Sequence, residues 1–214
     1  MTRRRTIRKG QIVLYQGEVT SSVFMIKQGI IRAYSILANG NEINVALFGR
    51  DDYFPIGVVA GQLPVAVFYY EALTDAELDV VAADTILETL VHDPAEFERM
   101  TRRYLGALLH IQALGQDSAA AKLAQTLRYL ALRFGGPVDG DGYRELDISL
   151  TQSDVARLAN VSRETVSHEL SALKNQQAVW QTGKRYRLHV GRLSQFSGDE
   201  LQPDINLSTY PRSP

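Results

Sequence analysis

The chain has 214 residues, of which 45% are hydrophobic and 22% are charged, so it can bury the cores of about two domains. It contains no cysteine, which excludes disulfides, thiolate zinc sites and cysteine-bound iron–sulfur clusters and agrees with a reducing cytoplasm. No apolar run approaches the roughly 18 residues of a membrane span, and the basic segment after Met1 lacks the apolar stretch of a signal peptide.

The net charge is only −1, but the charges are unevenly distributed. Between Glu71 and Glu98 there are nine acidic residues and no lysine or arginine. Between Thr151 and Ser197 there are seven lysine and arginine residues and three acidic residues. A basic surplus confined to one end is typical of a chain whose C-terminal part binds a polyanion.

Residues 7 to about 90 are predicted to form a β domain. Short apolar runs alternate with glycines along this segment, and many short strands at such spacing favour a barrel or a sandwich. The pair Asn39-Gly40 predicts a tight hairpin with a type I′ turn, because both residues accept a positive φ. The segment from Val58 to Tyr70 either belongs to the core, which is favoured, or lines a pocket for an apolar or aromatic effector. The pocket candidates are Val58, Tyr69 and Tyr70.

A long helix is predicted from Asp93 to about Leu114, because apolar residues there recur at steps of three and four. The predicted seam consists of Phe97, Met100, Tyr104, Ala107, Ile111 and Leu114. A seam held over about three heptads favours contact between two copies of the chain, although one helix packed on its own domain is the alternative. Gly115 to Ser118 should interrupt the helix, and a second helix should run from Ala119 to about Phe134.

Beyond a polar loop and a short strand predicted at 146–150, the residues from Gln152 to Ser171 match a helix-turn-helix. Thr151 and Asp154 resemble a capping box that starts the first helix. Asn160 lies in the turn, where a left-handed backbone conformation is commonly needed, and Ser162 caps the second helix. An ordinary αα-hairpin with a solvated polar face is the competing interpretation.

The second helix has two distinct faces. Val166, Leu170 and Leu173 should pack against the first helix. The opposite face carries Glu164, Ser167, His168, Ser171 and Asn175. Arg163 lies on the flank near the N-terminal end, where arginine can bond guanine O6 and N7 and glutamate can accept from cytosine N4. This division is typical of a DNA recognition helix.

The segment from Ala178 to Val190 predicts a strand–turn–strand wing with Gly183 to Arg185 at its tip, where the cations could contact the DNA backbone. Agreement of the caps, the basic surplus and the wing favours DNA binding over the αα-hairpin. The residues predicted to contact DNA are Thr151, Gln152, Ser162, Arg163, Glu164, Thr165, Ser167, His168, Lys184 and Arg185.

The motifs Leu150-Thr-Gln, Asp154-Val-Ala and Ser162-Arg-Glu-Thr-Val-Ser resemble the signature of the Crp/Fnr transcription regulators, and the resemblance covers nearly the whole chain. It implies an α+β fold with four parts. These are a cyclic-nucleotide-binding-like β-roll (1–92), a dimerisation helix (93–116), a winged helix-turn-helix (117–197) and a tail (198–214) expected to lack regular structure.

The resemblance implies a non-enzymatic regulator that binds palindromic double-stranded DNA as a homodimer and has RNA polymerase as a further partner. By resemblance, Arg163 and Glu164 contact bases. His168 stands where the family usually has arginine, and its reach is shorter, so the family's operator is not carried over to this chain.

Family members that bind cyclic AMP use a Gly-Glu pair followed by an Arg-Ser-Ala stretch. Here residues 55–57 replace the pair. If Ala72 is the alanine of that stretch, Tyr70 and Glu71 stand at the Arg-Ser positions. On an ungapped alignment, the positions that face adenine hold Ala107 and Leu108, which have no hydroxyls. Cyclic AMP is therefore not expected as the effector, and another small molecule remains open. No metal is expected, because His92, His110 and His189 have no partner at ligand spacing, although a haem is left open.

Two further classes of function are weighed against the regulator. A cupin-like enzyme usually places several histidines inside its roll, whereas this chain has none before His92. Alternatively, an effector-binding β-roll could carry a winged helix that binds a protein partner. A steep salt dependence of DNA affinity would separate DNA binding from this adaptor role.

Overall fold

The computed structural model describes residues 3–59, 61 and 63–196, so the predicted tail at 198–214 lies outside the described residues. The chain divides into two compact units between Thr101 and Arg102. This division falls inside the helix Pro94–Leu114. Within the described ranges, no helix is long and apolar enough to cross a membrane.

The first unit contains two four-stranded antiparallel sheets, as expected for the predicted β-roll. Its strands are β1 (Arg3–Ile7), β2 (Ile12–Leu14), β3 (Ser22–Gln28), β4 (Ile31–Ile36), β5 (Glu42–Phe48), β6 (Tyr53–Phe54), β7 (Tyr69–Ala72) and β8 (Ala76–Ala82). The strand orders are β1-β8-β3-β6 and β2-β7-β4-β5. Alternate strand residues such as Ile31 and Ala33 point into the core of this unit. In this core the Phe54 ring stacks on the rings of Tyr70 and Phe24, with centroid distances of 4.9 and 5.5 Å.

The hairpin predicted at Asn39-Gly40 connects β4 to β5, but its predicted turn type is wrong. The connection spans residues 37–41, and the Gly40 N–H donates to the Leu37 carbonyl at 2.8 Å. Gly40 has a φ of 82°, whereas Asn39 does not adopt the positive φ that a type I′ turn needs. The Asn39 side chain instead accepts a hydrogen bond from the Asn41 N–H at 3.0 Å, which stabilises the longer loop.

Helices interrupt the segment that was predicted to form a β domain. They are α1 (Ile56–Val59) and α2 (Ala83–His92), followed by α3 (Pro94–Leu114). Ile86 of α2 is buried, and Leu90 packs against the same cluster one turn later. This four-residue spacing is the helical signal that distinguishes α2 from a strand.

The second unit contains the predicted helix-turn-helix and wing. Its elements are α4 (Ala119–Phe134), β9 (Tyr143–Glu145), α5 (Gln152–Ala159), α6 (Arg163–Asn175), β10 (Val179–Thr182), β11 (Arg185–His189) and α7 (Val190–Gln195). The break between α3 and α4 lies where it was predicted, and Ser118 caps α4 by accepting from the Ala121 N–H at 3.1 Å. Leu123, Leu127 and Leu130 of α4 are buried in the core of this unit.

Two elements of the second unit differ from prediction. The strand predicted at 146–150 is instead β9, which pairs with β11 so that Glu145 lies opposite Arg187 in the sheet order β10-β11-β9. Leu146 and Leu150 are buried core residues outside the named strands. Leu146 makes an isolated bridge with Gly135, and the N–H groups of Leu146 and Leu150 donate to the carbonyls of Tyr186 and Lys184. The short helix α7 was not predicted.

Candidate nucleic-acid interface

A capping box fixes the start of α5. The Thr151 hydroxyl oxygen accepts from the Asp154 N–H at 3.1 Å, and the Asp154 carboxylate accepts from the Thr151 N–H at 2.8 Å and from its hydroxyl at 2.7 Å. Since the Thr151 hydroxyl donates to Asp154, it cannot also donate to a phosphate. The donors left at this helix end are the side chains of Gln152 and Ser153 and backbone N–H groups, since the first amides of a helix have no intrahelical acceptor.

The turn between α5 and α6 has the predicted geometry. Asn160 adopts the left-handed conformation, with φ 52° and ψ 47°. The Ser162 hydroxyl then caps α6 by accepting from the Thr165 N–H at 3.0 Å, and it lies 3.0 Å from the Thr165 hydroxyl. These contacts are local, and together they define the direction in which α6 leaves the turn.

The two faces of α6 are those predicted. Val166, Leu170 and Leu173 are buried. The exposed residues of α6 include Arg163, Glu164, Ser167, His168 and Ser171. The backbone N–H of Glu164 and the Ser162 hydroxyl hold the pKa of the Glu164 carboxyl below its ordinary value. The exposed N-terminal end of α6 therefore presents a guanidinium beside an ionised carboxylate.

His168 projects into solvent one turn beyond Glu164. Its Nδ1 lies 3.1 Å from a carboxylate oxygen of Glu169, and 83% of the side chain is exposed. This neighbour is an acceptor, so it favours a ring nitrogen that donates. The imidazole remains accessible for a contact beyond its own chain.

The wing turn lies next to the start of α5. Gly183 adopts a φ of 60° between β10 and β11, and Lys184 follows it with an exposed side chain. The Leu150 N–H donates to the Lys184 carbonyl at 3.0 Å. Arg185 is also exposed, and its guanidinium lies 3.9 Å from a carboxylate oxygen of Glu145. The wing therefore presents two cations, one of which has a carboxylate neighbour.

A concave surface of about 450 Å³ lies where α5, α6 and the wing meet. Its lining residues are Thr151, Gln152, Ser153, Arg163, Gln181, Gly183 and Lys184. The lining includes two cationic side chains, no carboxylate and the N-terminal end of a helix. Such a combination is suited to phosphate, because a helix N-terminus directs free N–H groups and a partial positive charge at its ligand.

Gln181 and Tyr186 support the wall of this concave surface and were not predicted. The Gln181 amide donates to the Gly183 carbonyl and to the Tyr186 hydroxyl oxygen, each at 3.0 Å. Burial and the nearby Asp154 carboxylate raise the pKa of Tyr186 to about 12, so its hydroxyl stays protonated. The alternation of buried Tyr186 with Arg185 and Arg187 along β11 is the sequence signal that marks it as inward-facing.

The predicted dimer seam is only partly exposed. Phe97, Tyr104 and Ile111 are exposed by 57%, 46% and 41%, whereas Leu114 is 7% exposed and buried within its own chain. Met100 and Ala107 are intermediate. Leu105 and Leu108, which the seam omitted, are exposed by 43% and 62%. The exposed apolar face of α3 is therefore rotated from the predicted seam, because the remaining face packs within the chain.

The three candidate pocket residues of the β-roll do not share one cavity. Val58 and Tyr70 are buried in two separate apolar clusters. Tyr69 lies on the opposite face of β7, where its ring stacks on Tyr34 at 5.2 Å. Val58 and Tyr70 are therefore core residues, as the favoured interpretation stated.

A buried arginine stands beside Glu71. Arg32 is fully buried, and its guanidinium lies 2.7 Å from carboxylate oxygens of both Glu71 and Glu42. Burial alone would lower the pKa of Arg32, but the hydrogen bonds to Glu71 and Glu42 outweigh it and raise that pKa. The Arg32 guanidinium also donates to the Asn44 side-chain oxygen at 3.2 Å, and its central carbon lies 3.9 Å from the centroid of the Tyr34 ring. The charge of Arg32 is thus satisfied inside the protein.

No group of three or more metal-ligating side chains occurs within residues 3–59, 61 and 63–196. His110 is buried in the second unit. His189 caps α7 by accepting from the Arg192 N–H at 3.3 Å.

A capped helix-turn-helix with an exposed polar recognition helix, a cationic wing and a basic concavity beside it defines a DNA-binding transcription regulator. Residues 121–195 match the family model of the Crp-like helix-turn-helix domain, and residues 4–93 match that of the cyclic nucleotide-binding domain. The chain belongs to the Crp/Fnr family of transcription regulators.

The similarity to known proteins covers most of the length of this chain. A global nitrogen regulator of Synechocystis is 23% identical over 86% of this chain and 83% of its own length. The cyclic AMP receptor protein of Thermus thermophilus is 26% identical over 82% of this chain and 79% of its own. The solved structure of FixK2 from Bradyrhizobium japonicum has the same fold, with a TM-score of 0.69 at 20% identity, covering 92% of this chain and 97% of that one.

Proposed function

We propose that this regulator is a homodimer that binds a two-fold symmetric DNA site through paired α6 helices. The observation that carries the proposal is the exposed apolar face of α3. Within the second unit this face presents Tyr104, Leu105, Leu108 and Ile111, each exposed by 41% to 62%. Covering such side chains with the same face of a second copy gains roughly 25 cal/mol for each Å² removed from water.

A two-fold dimer presents two recognition helices related by the same symmetry. Such helices enter major grooves about one helical turn apart, so the preferred DNA sequence should be a palindrome. The basic concavity beside each α6 supports this arrangement, because it offers a phosphate site that orients the helix on the duplex.

Within this proposal, the side chains at the start of α6 contact bases, and the wing contacts the backbone. Arg163 and Glu164 are exposed and project from the first turn of α6. The ionised Glu164 carboxylate suits the amino group of cytosine, and the Arg163 guanidinium suits guanine. Lys184 lines the concavity as a point charge and suits a phosphate.

Selection of bound duplexes from a random library tests the proposal. A two-fold symmetric consensus is expected. The adaptor alternative instead predicts no preference among duplexes at low salt. It also predicts no systematic decrease of affinity with salt, whereas each phosphate contact of a DNA-binding protein contributes a slope of about −0.9 in log K against log salt.

We further propose that the β-roll does not bind cyclic AMP in the manner of family members that do. With Ala72 taken as the alanine of the Arg-Ser-Ala stretch, the two positions that would hold the phosphate are Tyr70, a stacked core residue, and Glu71, a buried carboxylate paired with Arg32. Glu71 would repel the phosphate. Arg32 could pair with the phosphate only by leaving the carboxylates of Glu71 and Glu42 without their cation. Saturable, micromolar binding of cyclic AMP in isothermal calorimetry would contradict this proposal.

An unidentified small molecule remains the candidate effector, and no iron–sulfur cluster is proposed because the chain has no cysteine.

RNA polymerase is the proposed protein partner, and the support is the class of protein alone. Purified RNA polymerase should bind more tightly to promoter DNA that carries the selected site when the regulator is present. An unchanged polymerase affinity would count against a direct contact.

A further inference from the structure

His110 connects three helices of the second unit through one buried side chain. Its imidazole is fully buried, on the helix α3 that also carries the exposed apolar face. Its Nε2 lies 3.0 Å from the carbonyl oxygen of Leu158 in α5, and its ring stacks on Tyr129 of α4 with the centroids 4.8 Å apart. A single residue therefore joins the proposed dimer helix to the helix-turn-helix.

The partner of His110 is a carbonyl in the last turn of α5, where backbone oxygens lack intrahelical donors. The neighbouring carbonyls of Ala156 and Arg157 accept from the Asn160 N–H. The Leu158 oxygen accepts from His110 instead. Because a carbonyl can only accept, Nε2 carries a proton in this contact.

The surroundings keep the His110 ring neutral. Its Nδ1 is buried and has no hydrogen-bond partner among the described residues. Burial lowers the pKa of His110 to about 4. The neutral ring is thus a single, fixed donor to α5 at the pH at which the protein binds DNA.

The bond to Leu158 is close in the chain to the DNA-contacting end of α6. Helix α5 ends at Ala159, Asn160 turns the chain in the left-handed conformation, and α6 begins at Arg163. A rotation of α5 against α3 would therefore move Arg163 directly. In a dimer, the same rotation would change the separation and the relative orientation of the two recognition helices.

We propose that His110 is a positioning residue for DNA recognition, whose hydrogen bond to Leu158 fixes the helix-turn-helix on the dimer helix and so sets the half-site spacing that the dimer accepts. The inference rests on the proposed homodimer. His110 itself does not contact DNA, and it acts through the orientation of α5.

The test measures how affinity depends on half-site spacing. One base pair inserted or removed at the centre of a site moves a half-site by about 3.4 Å and rotates it by about 35°. Dissociation constants are measured for the full chain on the selected operator and on versions with one base pair more or less. The variant His110→Phe keeps a ring to stack on Tyr129 but has no donor for Leu158, whereas His110→Gln keeps an amide donor.

A matched control is His189→Phe, which also removes a contact between a histidine and the backbone of this unit, in this case with the Arg192 N–H of α7. Wild type and His189→Phe should lose at least about tenfold in affinity when the spacing changes by one base pair. His110→Phe should lose less than about threefold for the same change, since its helices can reorient. His110→Gln should resemble wild type.

Two outcomes for His110→Phe overturn the inference. One is a spacing dependence in His110→Phe as steep as that of wild type. The other is an equal loss of affinity at every spacing together with a lower melting temperature, which indicates a purely structural role. If His110→Phe does not fold, His110→Met is the second donor-free variant, because its flexible side chain fills irregular space. If wild type itself shows no spacing preference, the proposed two-fold mode of binding is wrong, and the inference, which depends on it, is wrong as well.

Discussion

The backbone N–H of Leu150 donates to the carbonyl of Lys184 at 3.0 Å. This bond joins the chain entering α5 to the turn of the wing, and it brings the Lys184 side chain to the same concave surface as Arg163. The concave surface that is proposed to bind phosphate is thus assembled from two segments that are distant in sequence, residues 151–163 and the wing. Substitutions in either segment should therefore weaken DNA binding, but in different ways.

Arg163→Ala and Glu164→Ala should each weaken binding to the preferred site by roughly 1–3 kcal/mol and relax preference at defined base pairs. Lys184→Ala should weaken all sequences alike and make the salt slope shallower by about 0.9 for each phosphate that the lysine neutralises in wild type. Titrations on the selected operator and on single-base variants measure both effects. Lys27→Ala, which removes a charge from β3 in the first unit, is the control. Equal, sequence-independent decreases for all three variants would refute the assignment of roles.

Tyr186→Phe should loosen the wing turn, because the Gln181 amide loses one of its two acceptors. Removing one hydrogen bond of this kind costs about 1 kcal/mol of unfolding free energy, and DNA affinity should fall several-fold at every sequence. Tyr143→Phe is the matched control, since its hydroxyl donates to the Gln177 carbonyl at 2.6 Å and does not line the phosphate site. Urea denaturation and DNA titration of both variants make the comparison. An equal decrease of DNA affinity in the two variants would argue against a specific role for Tyr186.

The buried neutral His110 should make the protein less stable as the pH falls. The unfolded chain takes up a proton on this residue near pH 6.5, whereas the folded chain does so only near pH 4. The unfolded state therefore binds more protons in this window, so full stability is present above pH 6.5 and declines towards pH 4. The maximum loss is about 3 kcal/mol, since one pKa unit corresponds to about 1.4 kcal/mol.

Denaturation of wild type and His110→Gln over this pH range measures the effect. Both proteins lose stability through their carboxylates, so the difference between them isolates the histidine. Wild type should lose about 3 kcal/mol more than the variant between pH 6.5 and pH 4. Parallel curves would show that His110 is not the neutral, buried group described above.

Leu108→Glu should dissociate the dimer, because a charge would replace an apolar side chain at the centre of the exposed face of α3. Sedimentation velocity should show a monomer at micromolar concentration, and affinity for the two-fold site should fall by at least about a hundredfold because a monomer reaches only one half-site. Leu87→Glu introduces the same charge at an exposed leucine of α2 and should leave the dimer intact. A dimer that persists in Leu108→Glu would place the interface elsewhere.

The features that the sequence predicts best are those made by near neighbours. The capping box of Thr151 with Asp154 and the cap of Thr165 by Ser162 each join residues three positions apart. Their residue types imply the contacts, because helix geometry holds such neighbours close in any fold. The family signature extended this local pattern to the β-roll and the wing.

The tertiary structure decided the features that depend on what packs against a residue. Leu114 and Leu108 are equally apolar, but the first is buried within its chain and the second is exposed. The bonds of His110 to Leu158 and of Arg32 to Glu71 join residues 48 and 39 positions apart. No local periodicity reveals such long-range pairs. The helix-turn-helix was therefore predictable from Thr151 to Ser162, whereas the contact between His110 and Leu158 exists only because the fold buries an imidazole beside the Leu158 carbonyl.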